Sequence, residues 1–279
     1  MREIATEDIT SAVKDAVIKA NYELGEDVIG AFRAGLKQEE SPVGREILER
    51  LIENARLAAE ERIPICQDTG VAVLFVELGQ SVSVVGGDFN QALEEGVRQG
   101  YEAGFLRKSV CDPFTRKNTG DNTPIIIHLD LVPGEELKIW VVPKGGGSEN
   151  MSRLFMLPPS AGWEGIKERV VQTVEEAGPN PCPPTIVGVG IGGNFERSAI
   201  LAKKSLLRPL GVPNSDPDLA QKEQELLAEI NKTGVGPQGL GGRITSLAVH
   251  ILMMPCHIAS LPLAVNIQCH ASRHLEIVL

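Results

Sequence analysis

Three cysteines, Cys66, Cys182 and Cys269, stand in segments rich in glycine, proline or polar residues. They are far apart in the sequence, and none belongs to a C-x-x-C pair. Three thiolates that come from distant loops suit a metal centre that is held at three corners and keeps its fourth position open. Because an open position on a metal can bind a substrate, the pattern predicts a metal-dependent enzyme.

The residues alone leave the metal open. Zinc would require a fourth protein ligand in a structural site, or histidine and carboxylate ligands in a catalytic one. His257 or His270 could supply such a ligand. Cys111 and Cys256 stand in less distinctive surroundings, and we expect neither to bind the metal.

Cys66 begins the run CQDTG, in which a thiol, an amide and a carboxylate follow one another directly before an apolar segment. Asp and Gly are also common turn residues, so the run alone is equally compatible with a buried cysteine and a turn. Cys182 is flanked by prolines, which stiffen the backbone and remove donors. Such a segment suits a metal ligand, and it suits the entry into a strand as well.

Two glycine-rich runs resemble nucleotide-binding motifs. Residues 188–193 fit G-x-G-x-x-G, but the following element is predicted to be a helix, and a dinucleotide site needs a βαβ unit with an acidic residue after the next strand. In residues 144–148 the lysine precedes the glycines, which is the reverse of a P-loop. We expect no nucleotide at either run, although the backbone amides of the second could bind a carboxylate.

The composition narrows the class of protein. The net charge of −10 argues against a nucleic-acid surface, which needs clustered Lys and Arg. The first twenty residues are charged throughout, and no apolar run is long enough to span a membrane, so we expect no signal peptide and neither nucleic acid nor membrane as a partner. Five cysteines without disulfide-like clustering indicate reduced thiols and a cytoplasmic location.

The elements that must position these groups follow from periodicity and capping signals. Helices are predicted to include residues 9–20 and 28–36, to begin at Ser41-Pro42, to run from the cap pair Asp88 and Gln91 to about residue 104, and to cover 194–207 and 217–230. Strands are predicted at residues 71–78, 124–131, 136–142, 185–189, 245–253 and 261–267, and loops at 112–123, 143–150 and 232–243.

This order of elements predicts an α+β fold, with a helical N-terminal layer followed by a mixed α/β domain with antiparallel hairpin strands. The hairpin is predicted to join the strands at 124–131 and 136–142 through Pro133-Gly134. No repeat, low-complexity tract or long linker interrupts the chain. We therefore expect one catalytic domain over residues 1–279, with 1–62 as the helical layer and 63–279 as the part that binds metal and substrate.

Six motifs occur in a fixed order between residues 64 and 274: ICQDTG, RKNTGDNTP, PKGGGSEN, NPCPP, VGIGGN and LPLAVNIQCHASRH. Together they resemble the α subunit of the class I, iron–sulfur-dependent fumarate hydratase and L(+)-tartrate dehydratase family. In one-chain members of that family, the same region is the N-terminal domain. Six motifs in order are much more specific than any one of them.

The resemblance implies a [4Fe–4S] cluster held by Cys66, Cys182 and Cys269, with one iron that has no protein ligand and is open to the substrate. It also implies that Asp68 is the general acid–base group on the hydroxyl side of the substrate. The remaining substrate contacts implied by the resemblance are Gln67, Arg107, Gly145, Gly146, Gly147 and His257, with Lys108 as the alternative to Arg107.

The sequence ends soon after CHASRH and lacks the C-terminal domain of the one-chain members. We therefore expect a separate β subunit and an α2β2 assembly. The expected reaction is the reversible hydration of fumarate to L-malate, with L(+)-tartrate dehydration as the nearest alternative. An iron–sulfur protein of electron transfer or redox sensing, or a structural subunit with zinc, would be a different class. Such electron carriers normally give their cluster four protein ligands.

Overall fold

The computed structural model of the chain describes all of residues 1–279. Its α-helices are α1 Thr6–Tyr22, α2 Glu26–Gln38, α3 Pro42–Glu61, α4 Phe89–Ala103, α5 Gly146–Glu149, α6 Gly162–Ala177, α7 Phe195–Ser205 and α8 Pro217–Lys232. Its strands are β1 Arg2–Ala5, β2 Val71–Gly79, β3 Val82–Val85, β4 Ile126–Val132, β5 Leu137–Lys144, β6 Arg153–Leu157, β7 Thr185–Gly193, β8 Ser246–Cys256, β9 Leu261–Gln268 and β10 Leu275–Val278.

The chain divides into two units. The first unit consists of Met1–Gly25, Asn54–Gly146 and Arg273–Leu279, and the second consists of Glu26–Glu53 and Gly147–Ser272. The first unit contains a two-stranded sheet of β1 and β3 and a four-stranded sheet in the order β10-β5-β2-β4. The second contains a four-stranded sheet in the order β6-β9-β7-β8. Helices and mixed sheets confirm the α+β class.

The core of the first unit lies between its four-stranded sheet and the helices α1 and α4. The two helices approach closely because α4 presents glycines to α1. A Cβ on Gly96 would lie 2.7 Å from the Cβ of Val13, and one on Gly100 would lie 2.9 Å from the Cβ of Val17. Substitution of either glycine would push the helices apart. This packing fixes the layer on which the CQDTG segment rests.

The predicted hairpin between the strands at 124–131 and 136–142 is wrong. β4 pairs in parallel with one edge of β2, and β5 pairs antiparallel with the other edge. The Pro133-Gly134 connection instead passes over the end of β2, where a Cβ on Gly79 would lie 2.7 Å from the carbonyl oxygen of Gly134. β2 is thus a central strand of its sheet. Most of its residues are buried, as is typical of a strand in this position.

In the second unit β7 is central, parallel to β8 and antiparallel to β9. The glycine-rich run at residues 188–193 belongs to β7, and its glycines allow α7 to lie against the strand. A Cβ on Gly188 would lie 2.1 Å from the carbonyl oxygen of Ala202, and one on Gly190 would lie 2.0 Å from that of Ser198. Helix–strand packing therefore accounts for these two glycines.

The predicted helices of the N-terminal layer are confirmed, but the first residues form a strand that the periodicity did not predict. β1 pairs in parallel with β3, in the register Arg2 to Val82. Ile4 is buried in the core of the first unit, which explains why this short segment is ordered against it. None of the helices combines the length and the hydropathy that a membrane-spanning segment requires.

Candidate active site

Asp68 lies in the turn formed by residues 66–70, which directly precedes β2 and is called the Asp68 turn below. Its Oδ1 accepts a hydrogen bond from the backbone N–H of Gly70 at 3.0 Å, and its Oδ2 accepts one from the N–H of Gly146 at 2.7 Å. Both carboxylate oxygens are thus fixed by backbone donors. The side chain is half-buried, so it keeps contact with solvent, as a group that exchanges protons with a substrate must.

Side chains, rather than a strand or a helix, hold the backbone of the Asp68 turn. The carbonyl oxygen of Asp68 accepts from Nη2 of Arg273. That of Thr69 accepts from the hydroxyl of Tyr101 at 2.6 Å. That of Gly70 accepts from the same hydroxyl at 3.0 Å and from Nδ2 of Asn122 at 3.1 Å. Three consecutive carbonyl groups therefore receive a hydrogen bond from a buried side chain.

Gly70 is required by the shape of the turn. Its φ of +76° lies in the left-handed region, and a Cβ there would lie 2.6 Å from the carbonyl carbon and oxygen of Lys144. Only glycine meets both conditions without strain. Gly70 therefore ends the turn against the last residue of β5, which brings the following glycines next to Asp68.

Of those glycines, Gly145 and Gly146 belong to the first unit. A Cβ on Gly145 would lie 3.2 Å from Oδ2 of Asp68, and one on Gly146 would lie 3.8 Å from it. The run PKGGGSEN was predicted to be a loop, and part of it forms the single helical turn α5. The N–H of Gly146 points at the carboxylate of Asp68, so this run orders the predicted acid–base group.

Tyr101 is fully buried, and burial raises the pKa of its hydroxyl above the ordinary value. The hydroxyl therefore stays protonated and remains a donor to the Asp68 turn. Asn122 is also fully buried, and its Oδ1 accepts from the N–H of Ser109 at 2.7 Å and of Val110 at 3.2 Å. Asn122 thus links the turn to the segment that follows Arg107.

Arg107 is exposed, and its carbonyl oxygen accepts from the hydroxyl of Thr69 at 2.8 Å. The backbone of Arg107 is therefore tied to the Asp68 turn. Lys108, the alternative position, is half-buried, and its carbonyl oxygen accepts from Nδ2 of Asn118 at 3.0 Å. Gln67 is exposed, and its Oε1 lies 3.4 Å from Sγ of Cys66.

In the second unit, the residue that follows Cys269 contacts the backbone of Cys182. His270 directly follows Cys269, and its Nδ1 lies 2.9 Å from the carbonyl oxygen of Cys182. Because a carbonyl can only accept, this contact is a hydrogen bond in the tautomer that carries the proton on Nδ1. Cys182 itself has a φ of +53°, which costs a non-glycine residue about 1 kcal/mol or more. A residue held in this conformation is a common feature of functional sites.

Gly147 and His257 are also parts of the second unit. A Cβ on Gly147 would lie 3.4 Å from the carbonyl oxygen of Asn180, in the segment before Cys182. His257 is exposed in the connection between β8 and β9, and its Nδ1 accepts from the N–H of Ala259 at 3.1 Å. In the neutral ring the proton therefore lies on Nε2, which can donate to an anionic group.

The five cysteines form no disulfide bond. Cys66 and Cys269 are half-buried, and Cys182 is exposed. No group of three or more His, Cys, Asp or Glu side chains is arranged to hold a metal ion. Three reduced and partly accessible thiols are nevertheless of the donor type that binds iron–sulfur clusters, so the residues fit that cofactor by their chemistry.

The sequence analysis did not single out Tyr101, Asn122 or Arg273. These three side chains come from separate segments and meet only at the Asp68 turn. A signal was available, because Asn122 lies in the motif RKNTGDNTP and Arg273 in the motif LPLAVNIQCHASRH.

Comparison with known proteins gives concordant results. The family model described as fumarate hydratase (Fumerase) matches residues 10–278. A protein of Methanocaldococcus jannaschii, named provisionally as L(+)-tartrate dehydratase subunit alpha, is 43% identical over 273 residues, which are 95% of each chain. The L(+)-tartrate dehydratase subunit alpha of Escherichia coli strain UTI89 is 32% identical over 96% of this chain and 90% of its own length, and that of strain K12 is 31% identical over the same shares.

The family model spans nearly the whole chain, and the relatives match it from end to end with more than 30% identity. The names of the relatives correspond to L(+)-tartrate dehydration, which was the alternative expectation from the sequence. The family description corresponds to fumarate hydration, which was the first expectation. The chain is therefore a hydro-lyase, and it belongs to the α subunits of the class I fumarate hydratase and L(+)-tartrate dehydratase family.

Proposed function

We propose that this chain is the α subunit of an enzyme that eliminates water from a four-carbon hydroxydicarboxylate, with L(+)-tartrate as the first candidate substrate. The observation that carries the proposal is the carboxylate of Asp68, held at both oxygens by backbone N–H groups and still half-exposed beside Cys66. The names of the relatives favour tartrate over the fumarate that was expected first.

The chemistry follows from the groups on the substrate. Removal of hydroxide from one carbon of tartrate and of a proton from the neighbouring carbon gives the enol of oxaloacetate and one molecule of water. Hydroxide is a poor leaving group, so a proton donor close to it lowers the barrier. Asp68 is the residue of this chain that we assign to protonate the departing hydroxyl, and to take the proton back in the reverse direction.

We assign the binding of the substrate carboxylates to Arg107, with Lys108 as the alternative, and to the backbone of Gly145 and Gly147. The exposed guanidinium of Arg107 can form two parallel hydrogen bonds with a carboxylate. The N–H of Gly146 serves the carboxylate of Asp68 instead.

Gln67 and His257 complete the proposed set of substrate contacts. Both side chains are exposed. The Nε2–H of His257 can donate to a carboxylate, and the amide of Gln67 can both donate and accept.

Cys66, Cys182 and Cys269 are the residues that we propose to hold a [4Fe–4S] cluster. Soft thiolate ligands favour iron–sulfur clusters, and three of them leave one iron without a protein ligand. When bound, the cluster supplies a Lewis acid that stabilises the departing hydroxide. Within the second unit, His270 follows the proposed ligand Cys269 and contacts the carbonyl of the proposed ligand Cys182. This contact ties the backbones of the two ligand segments to each other.

A β subunit is the proposed partner, because the relatives that match this chain along its whole length are named as α subunits. We propose an α2β2 assembly, and a cytoplasmic location because thiols stay reduced there. The base that removes the proton from carbon would belong to the β subunit, since no residue of this chain is assigned to that step.

Fumarate hydration is the second candidate, and the description of the matching family model favours it. The two reactions differ by one hydroxyl group on the substrate. A site built to hydrogen-bond that hydroxyl rejects a substrate without it by a factor on the order of 10,000. The two candidates are therefore separable by their relative turnover.

The test is to produce the chain together with the β subunit encoded in the same genome, under anaerobic conditions, and to compare two substrates. L(+)-Tartrate is followed by the formation of oxaloacetate, and fumarate by the formation of L-malate. We expect turnover of tartrate at least tenfold above that of fumarate, and little or none by the chain alone. The reverse preference would assign the chain to fumarate. Absence of turnover with both substrates, in a complex that contains iron and sulfide, would refute the proposal.

A further inference from the structure

Arg273 is buried, with 3% of its surface exposed, and it lies where the chain has just left the Cys269 segment. Its Nη2 donates to the main-chain carbonyl oxygen of Asp68. Its Nε and Nη1 are buried as well and have no hydrogen-bond partner. The contact with Asp68 is thus the one hydrogen bond through which this guanidinium is anchored.

A buried arginine with unpaired N–H groups lowers the stability of the folded chain, so stability alone does not explain its presence. A guanidinium has five N–H donors, and each donor that is buried without a partner costs free energy relative to water. Native structures keep few such groups, and each one calls for an explanation. Of the guanidinium nitrogens only Nη2 has a hydrogen-bond partner, so we look for the role of Arg273 in the residue that this contact holds.

What Arg273 touches is the residue with the proposed chemical task. The carbonyls of Asp68, Thr69 and Gly70 all accept from buried side chains, and Arg273 supplies the contact at Asp68 itself. Tyr101 and Asn122 support the two residues that follow. Without Arg273, the carbonyl of Asp68 would lose this donor, and rotation of its peptide plane would move the side chain.

Electrostatics supports the same placement. Burial raises the pKa of Tyr101, the charge of Arg273 lowers it, and the charge of Asp68 raises it. Both charged groups are therefore close enough to the buried phenol of Tyr101 to change its pKa.

We propose that Arg273 is a positioning residue of the active site: its buried guanidinium anchors the main chain of Asp68 and so sets the place of the carboxylate that protonates the leaving hydroxyl. The inference rests on the proposed function, because that function gives Asp68 its task. The anchoring of the turn is a property of the chain that is measurable without turnover.

Three variants test the proposal. Arg273→Ala removes the guanidinium, Arg273→Lys keeps the charge but not the planar donor, and Arg208→Ala is the matched control. Arg208 is also largely buried, pairs with Glu223 at 2.6 Å, and has a buried Nε without a hydrogen-bond partner. It belongs to the second unit, whereas the Asp68 turn belongs to the first. It therefore reports what the loss of a buried arginine does to the fold alone.

The first readout is hydrogen–deuterium exchange of the peptide that contains residues 66–70 in the purified chain. We expect faster exchange in Arg273→Ala and unchanged exchange in Arg208→Ala. The second readout is turnover by the α–β complex, corrected for iron content. We expect kcat to fall about ten- to hundredfold in Arg273→Ala, the range for a misplaced catalytic group, with KM changed less than threefold.

The third readout is rescue. Guanidinium ion, added well below denaturing concentrations, is expected to restore part of the kcat of Arg273→Ala and none of that of Arg273→Lys, whose side chain still fills the space. If Arg273→Ala does not fold, the exchange of residues 66–70 and the kcat of Arg273→Lys test the proposal in its place. Unchanged exchange and kcat would overturn the proposal, as would a loss of kcat that matches Arg208→Ala. Faster exchange in the Arg273→Ala chain, together with no turnover by the wild-type α–β complex, would instead refute the proposed function and leave the anchoring intact.

Discussion

The backbone N–H of Gly146 donates to Oδ2 of Asp68 at 2.7 Å, which joins the end of β5 to the turn before β2. β2 and β5 pair antiparallel, in a register that sets Val71 opposite Lys144. This register is what brings a residue after β5 to a residue before β2. The position of the proposed acid–base group is therefore a consequence of the pairing of two core strands.

Asp68→Asn is expected to lower kcat about 100- to 10,000-fold, because an amide cannot exchange a proton with the leaving hydroxyl. The measurement is turnover by the α–β complex, corrected for iron content. Asp15→Asn, on the exposed surface of α1, is the control and should retain the wild-type rate. Turnover of Asp68→Asn within threefold of the wild type would remove Asp68 from the mechanism.

The two tyrosines of the chain form a matched pair. Tyr101 donates to the carbonyl of Thr69 at 2.6 Å, and Tyr22 donates to that of Gly104 at 2.8 Å. Either Tyr→Phe change should cost about 1–2 kcal/mol of unfolding free energy, because a buried carbonyl loses a donor. Only Tyr101→Phe should also lower kcat, by about tenfold, through displacement of the Asp68 turn. Equal rates for the two variants would contradict the role given to Tyr101.

Glu39 is the buried carboxylate of the second unit that receives the most backbone donors. Burial raises its pKa, but backbone N–H groups of Arg243, Ile244, Ser41 and Glu40 outweigh burial and bring the pKa below its ordinary value of 4.5. The ionised form therefore stabilises the folded chain above that pH, and this stabilisation is lost as the pH falls through the folded-state pKa.

Glu39→Gln should accordingly lower the free energy of unfolding by about 2 kcal/mol at pH 7, because an amide N–H2 would face backbone donors. The deficit relative to the wild type should shrink as the pH is lowered below 4.5 and through the folded-state pKa of Glu39. Denaturant unfolding at several pH values is the measurement. Glu40→Gln, which removes an exposed ion pair with Arg243, should change stability by less than about 0.5 kcal/mol. A deficit independent of pH would contradict the assignment.

Gly190→Ala should destabilise the chain by about 3 kcal/mol, because the new Cβ would lie 2.0 Å from the carbonyl oxygen of Ser198 and α7 would have to move away from β7. Gly30→Ala is the control. Gly30 is exposed in α2 with no atom within 4 Å of a new Cβ, so alanine should stabilise this helix by up to about 1 kcal/mol. Thermal unfolding of both variants measures the difference, and a well-folded Gly190→Ala would contradict the packing role.

The helices that carry local signals were predictable. Asp88 accepts from the N–H of Gln91 at 2.8 Å and caps α4, as the sequence indicated. α6 was not predicted, and its first residue follows Ala161, which provides no side-chain cap. The pairing of β4 and β5 with β2 was also missed. A short connection between two strands favours a hairpin, and no local sequence signal indicates that β2 lies between them.

One short run suggested the proposed site, because it contains both the proposed ligand Cys66 and the proposed acid–base group Asp68. The groups that hold this run in place were not predictable. Tyr101 lies at the end of α4, Asn122 in an irregular loop, and Arg273 after β9, so their convergence depends on the tertiary fold. The available hint was that Asn122 and Arg273 each lie in one of the six motifs.

The most direct test of the central claim is the content of iron and acid-labile sulfide per chain after anaerobic reconstitution. We predict about four iron and four sulfide per chain for the wild type. The control is Cys256→Ser, which should keep both, because the thiol of Cys256 donates to the carbonyl of Ser260. Cys182→Ser should lose most of the iron and most of the sulfide. Zinc in place of iron, no metal at all, or equal iron in Cys182→Ser and Cys256→Ser would contradict the account.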